Sequence, residues 1–132
     1  MEFMPSKTRV SPRVLVAEDE PVIAETLAII LRRSGFEVVV VHDGQAAIRH
    51  AESWQPHALV SDVVMPMMNG IEAAIQISSL LPECRIVLLS GQAATSDLQH
   101  EAAERGHYFE VLPKPIHPRE LLERLQGLEA VA

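Results

Sequence analysis

SDVVMPMMNG, residues 61–70, places a carboxylate inside an apolar run. Asp62 is flanked by Leu59, Val60, Val63 and Val64, and the chain then breaks into Met65-Pro66 and Asn69-Gly70. Pro and Asn-Gly at this spacing are turn signals. The preceding run, 58–61 (ALVS), reads as a strand buried on both faces, as central strands of a parallel sheet are. Burying an unpaired carboxylate is costly, so an Asp at the end of such a strand needs a reason to be there.

The same phrase recurs along the chain. Residues 14–17 (VLVA) form a short apolar run. Pro21 then opens a helix through Arg33, because a first-turn Pro loses no hydrogen bond, and Ser34-Gly35 closes it. Strands are expected at Glu37–Val41, 85–89 and 110–112, and helices at 45–53, Gly70–Leu80, 96–105 and 118–128. Ser96 or Thr95 would cap the fourth helix. In the last helix Leu121, Leu125 and Leu128 form one stripe. Five strand–helix units with short connections predict a parallel α/β sheet with helices on both faces and right-handed crossovers.

Composition narrows the class. A chain of 132 residues, 48% hydrophobic and 22% charged, suits one globular domain, expected over 13–130. Residues 1–12 (MEFMPSKTRVSP) lack periodicity and are expected to be a flexible tail. A net charge of −7 argues against direct nucleic-acid binding, which wants a basic patch. The single Cys84 has no partner for an internal disulfide, and no signal peptide is evident, so a cytoplasmic location is expected. No apolar run approaches the ~18 residues of a membrane span.

In an open parallel sheet, ligands bind beyond the carboxyl ends of the strands. Those ends carry Glu18, Asp19 and Glu20, then Asp62, Ser90 and Lys114. Two carboxylates about 5 Å apart repel by roughly 3 kcal/mol at an effective dielectric near 20. A hard cation relieves that conflict. Mg²⁺ takes oxygen ligands and keeps several waters, so Glu18, Asp19 and Asp62 suit it, whereas zinc would want His or Cys. A carboxylate can also attack phosphorus to give an aspartyl phosphate. Such a transfer needs positioning and charge neutralisation, for which Lys114 and the Ser90 hydroxyl are available.

VLVAEDE, SDVVMPMMNG, VLLSGQ and LPKPI, in this order and spacing, resemble the receiver domain of two-component response regulators over about residues 13–129. The resemblance implies a flavodoxin-like sheet in order 2-1-3-4-5. It makes Asp62 the phosphoacceptor, Ser90 the switch hydroxyl and Lys114 the group that pairs with the phosphate. It implies Mg²⁺ bound by Asp19 and Asp62, by Glu18 mainly through water, and by the backbone carbonyl of Val64. It also implies a cis Lys114–Pro115 bond. The phosphoryl donor would be a sensor histidine kinase or phosphotransfer protein. A downstream protein would read the face of the fourth helix, fifth strand and fifth helix. The chain would act alone through protein contacts or as a piece of a larger regulator, catalysing only its own phosphorylation and dephosphorylation.

Some positions depart from the family pattern. Val111 stands where the family often has an aromatic, and Tyr108 and Phe109 precede it. Val64 and Gln92 occupy the variable positions near the phosphoacceptor, and Val64 has no polar group to orient an attacking water. The resemblance therefore implies a phospho-Asp62 that does not hydrolyse unusually fast. Two alternatives share much of the motif set. One is a degenerate receiver that binds partners without phosphorylation. The other is an Asp-nucleophile phosphatase, which usually carries a second acid where this chain has Val64. A dinucleotide or flavin enzyme would need a phosphate-cradling Gly loop after the first strand, and AEDEP has none. The six histidines show no metal-ligand spacing, and His107 and His117 are expected to face solvent.

Overall fold

The computed structural model describes residues 9–65, 67–91, 95–128 and 130–131. Pro66 and Gln92 lie outside the described residues, as does the Thr95 side chain. Five strands, β1 (Arg13–Ala17), β2 (Glu37–Val41), β3 (Ala58–Asp62), β4 (Arg85–Ser90) and β5 (Glu110–Pro113), alternate with five helices. These are α1 (Pro21–Arg33), α2 (Gly44–Trp54), α3 (Gly70–Leu80), α4 (Thr95–Glu104) and α5 (Pro118–Arg124). The strands are all parallel, in the order β2-β1-β3-β4-β5, which is the flavodoxin-like topology. Arg9–Val10, within the segment expected to be a tail, pairs antiparallel with Ala130–Val131.

Period-two alternation divides the core. Val14, Val16, Val60, Val87, Leu89 and Leu112 pack with Leu27, Leu31, Leu121 and Leu125 on the α1–α5 side. Leu15, Ala17, Leu59, Ile86 and Leu88 pack with Ala47, Ala51, Ile71, Ala74 and Ala102 on the α2–α3–α4 side. Both faces of the three central strands are thus covered, which is why their sequences read as unbroken apolar runs. Cys84 is buried at the foot of β4, and burial pushes its thiol up to about 12, leaving it unreactive.

The expected elements shift at their ends. Asp62 and Ser90 are the last residues of their strands rather than the first beyond them. The last helix ends at Arg124, not 128, because the chain tightens into i to i−3 bonds from Leu125, Gln126 and Leu128. The Arg85 guanidinium donates to the carbonyls of Arg124 and Gln126 at 3.2 and 2.8 Å, satisfying the acceptors that the shortened helix leaves open. Leu121 and Leu125 remain buried across that change.

The loop after β3 depends on one glycine. The Gly70 N–H donates to the Val63 carbonyl at 2.7 Å, bringing the start of α3 back to the strand end. A Cβ there would collide with the carbonyl oxygen of Asp62 and press on Ser61 Oγ. The collision is with backbone, so Gly70→Ala is expected to destabilise the protein by at least about 2 kcal/mol, as overpacking does. Urea unfolding of the variant beside wild type measures this; equal stability would show that the loop can yield.

Candidate functional site

The sheet register sets the rim. Ala17 pairs with Ser61, and Asp62 with Leu89, which in turn pairs with Leu112. Glu18, one residue past Ala17, therefore stands level with Asp62. The ladders continue beyond the strands through Glu18 N to Val41 O, Val63 N to Leu89 O and Lys114 N to Ser90 O, at 2.9–3.1 Å. Glu18, Asp62 and Lys114 share the alternation phase of Val16, Val60 and Leu112, so the pleat alone sends all three to one side.

They meet there. Lys114 Nζ donates to Asp62 Oδ2 at 3.1 Å and to Glu18 Oε1 at 3.4 Å. Glu18 is fully buried, Asp62 is 6% exposed and Asp19 is exposed. Glu18 Oε2 accepts from the Glu20 N–H at 3.2 Å, and Asp62 Oδ1 accepts from the Val64 N–H at 3.4 Å. The Lys114–Pro115 bond is cis. Ser90 is buried at the end of β4, one residue past the rung that faces Asp62.

Charge in the pocket is unbalanced. Burial raises the Glu18 carboxyl above its usual range, and the Asp62 charge adds to it; the Glu20 N–H and Lys114 pull the other way without cancelling the effect. Burial works against the Lys114 ammonium, but its bond to Asp62 and the two carboxylate charges hold its pKa above the ordinary lysine value. Oxygens of Glu18, Asp19 and Asp62 lie within 4.8 Å of one another. That span is near the ~4 Å across an octahedral Mg²⁺ shell with 2.0–2.1 Å bonds. The donor set is oxygen only, and exposed Asp19 leaves an open side for water. The residues fit a hard divalent cation.

The neighbourhood explains the local sequence. Glu20 N-caps α1 without a side-chain bond, and Pro21 follows at the first helical position. Gly44, at the start of α2, admits the backbone of Met68 from the loop after β3, where a Cβ would lie 2.7 Å from the Met68 carbonyl oxygen. Val64 is 54% exposed beside the pocket. Val111 is half-buried on the α2–α3–α4 side together with Phe109, which stacks on His107 at 5.8 Å. His107 is accordingly half-buried, against the expectation of a solvent-facing ring, whereas His117 is exposed.

Two histidines that the sequence did not single out close the ends of β1. The His42 imidazole lies 2.9 Å from the Glu18 carbonyl, and His57 Nδ1 accepts from the Arg13 N–H at 2.9 Å. Their pairing depends on register between strands, for which no local residue pattern is a signal.

The sequence pattern of the family described as "Response regulator receiver domain" matches residues 14–126. The chain belongs to that family. It is 34% identical over 118 residues to the response regulator MprA of Mycobacterium ulcerans, covering 89% of this chain and 50% of the relative. The chain thus spans about half the length of that curated relative. Among solved structures it resembles the chemotaxis response regulator CheY4 of Vibrio cholerae, with a TM-score of 0.75 and 26% identity over 90% of this chain and 99% of that one. It also resembles the receiver domain of the sensor histidine kinase PA1611 of Pseudomonas aeruginosa, solved with a magnesium ion in its active-site cleft. There the TM-score is 0.77 and the identity 28%, over 90% and 98% of the two chains.

The raised Glu18 pKa has a consequence for stability. Ionised Glu18 costs the native state above its folded pKa, and the cost is relieved as pH falls through that value toward the ordinary glutamate range. Without metal, Glu18→Gln is expected to raise the unfolding temperature at pH 7 by a few degrees, with the gap closing toward pH about 4.5. Thermal unfolding across that pH range checks it; a less stable variant at pH 7 would contradict it.

Proposed function

We propose that this receiver accepts a phosphoryl group on Asp62 in a Mg²⁺-dependent reaction and thereby switches a protein-binding surface. The observation that carries the reading is a buried Asp62 with an ammonium at 3.1 Å and two further carboxylates within 4.8 Å. Bound Mg²⁺ would neutralise charge on the carboxylates and on a phosphoryl oxygen. Asp19 and Asp62 would be its side-chain ligands, Glu18 would act mainly through water, and Val64 would offer its carbonyl.

The remaining chemistry belongs to the chain. An Asp62 oxygen forms the new bond to phosphorus as the bond from phosphorus to a donor histidine nitrogen breaks. The Val64 N–H and Lys114 orient the two carboxylate oxygens beforehand. Transfer adds roughly −1.5 to −2 charge at the rim. Lys114 then pairs with the phosphoryl group, and the Ser90 hydroxyl donates to it, biasing an existing equilibrium between two surface shapes. The donor is a sensor histidine kinase or phosphotransfer protein, and the reaction takes place in the cytoplasm. The chain turns over no separate substrate.

The output face is that of α4, β5 and α5. Tyr108 is 82% exposed there beside the half-buried His107–Phe109 stack, so the surface offers aromatic area to a protein partner. No helix among the described residues is long and apolar enough to cross a membrane.

Intact-mass spectrometry after incubation with acetyl phosphate and MgCl₂ tests the reading. One phosphoryl adduct is expected on wild type, and none on Asp62→Asn or without metal. An adduct that persists on Asp62→Asn would place the chemistry elsewhere, and no adduct on folded wild type would remove Asp62 as an acceptor from small donors.

A further inference from the structure

We propose that His42 is a positioning residue for the metal-binding carboxylates of Glu18 and Asp19, an inference that rests on the Mg²⁺ reading of the site. In the parallel ladder Ala17 pairs with Val41, so Glu18 stands opposite His42. The Glu18 N–H makes the regular bond to the Val41 carbonyl at 3.0 Å. The next regular rung would carry a backbone N–H of residue 43 to the Glu18 carbonyl. Asp43 instead turns away to cap α2, its Oδ1 accepting from the Ala46 N–H at 2.8 Å. The His42 ring makes that rung, with Nδ1 2.9 Å from the Glu18 oxygen. A carbonyl oxygen only accepts, so the proton is on Nδ1.

The held oxygen belongs to the peptide that joins Glu18 to Asp19. Fixing it sets the direction from which both side chains leave the backbone. Glu18 is also fixed through its carboxylate, by the Glu20 N–H and Lys114. Asp19 is exposed, so its carboxylate is placed from the backbone side rather than by packing. Groups that orient metal ligands in this way control affinity more than fold stability. His42 is itself exposed, and a hydrogen bond at an exposed position adds little to global stability.

The test compares wild type, His42→Ala and His42→Asn. The Asn amide nitrogen sits as many bonds from Cα as imidazole Nδ1, so it can restore the donor. Thermal unfolding over a MgCl₂ series gives the apparent Mg²⁺ affinity of each, and amide hydrogen exchange without metal reports the Glu20 N–H. His42→Ala is expected to weaken Mg²⁺ binding about tenfold and speed Glu20 exchange, while its unfolding temperature without metal stays close to wild type. His42→Asn should recover both quantities to within about twofold of wild type. Unchanged Mg²⁺ affinity in His42→Ala, or no recovery in His42→Asn, would overturn the role of His42 while leaving the metal reading intact. A wild type that gains no stability from Mg²⁺ would overturn the metal reading itself, and this inference with it.

Discussion

Two carboxylates are delivered to one level of a buried sheet, and one ammonium stands between them. Lys114 bonds to Asp62 and to Glu18 across the end of the sheet, reaching residues 52 and 96 positions away in sequence. Without that cation, Glu18 and Asp62 would face each other with little solvent to screen them. The pocket is still not neutral, because Asp19 brings a third carboxylate. Residual negative charge at a partly open rim favours a divalent cation. The ion triplet thus ties the fold to the site: the sheet makes the conflict, Lys114 lessens it, and the remainder favours a cation.

The scaffold supplies the precision. Glu18 directly follows β1 and Asp62 ends the neighbouring β3, and Lys114 continues the edge strand through its N–H bond to Ser90. Sites on rigid elements hold their geometry better than sites on loops. The loop that must approach most closely, after Asp62, is folded back by Gly70, where no larger residue fits. On the other side Gly44 lets the start of α2 meet Met68, so the same loop is braced from two directions. At both ends of strand β1 an imidazole takes one rung beside the backbone bonds of the ladder. His57 accepts at Arg13 and His42 donates at Glu18, which requires opposite proton placements on Nδ1 in the two rings.

Much of this is legible in the chain because it follows from local rules. Continuous apolar runs mark doubly covered strands, and the polar residues that end them fall on one rim by topology. Glu18, Asp19, Asp62, Ser90 and Lys114 can be picked out that way before any coordinates. The end of α5 is hidden because Leu121, Leu125 and Leu128 keep helical spacing while the backbone tightens, and Arg85, far away in sequence, satisfies the freed carbonyls. His42 and His57 are hidden for a related reason: each replaces a ladder bond, and ladder partners are set by register between strands.

The most direct test of the account is a crystal structure at pH 7 grown with MgCl₂ and beryllium fluoride, a mimic of the phosphoryl group. One metal is expected among Glu18, Asp19, Asp62 and the Val64 carbonyl, with the mimic joined to an Asp62 oxygen and Lys114 moved from Glu18 onto the mimic. A mimic absent from Asp62 in crystals that hold the metal elsewhere, with Lys114 still bonded to both carboxylates, would contradict it.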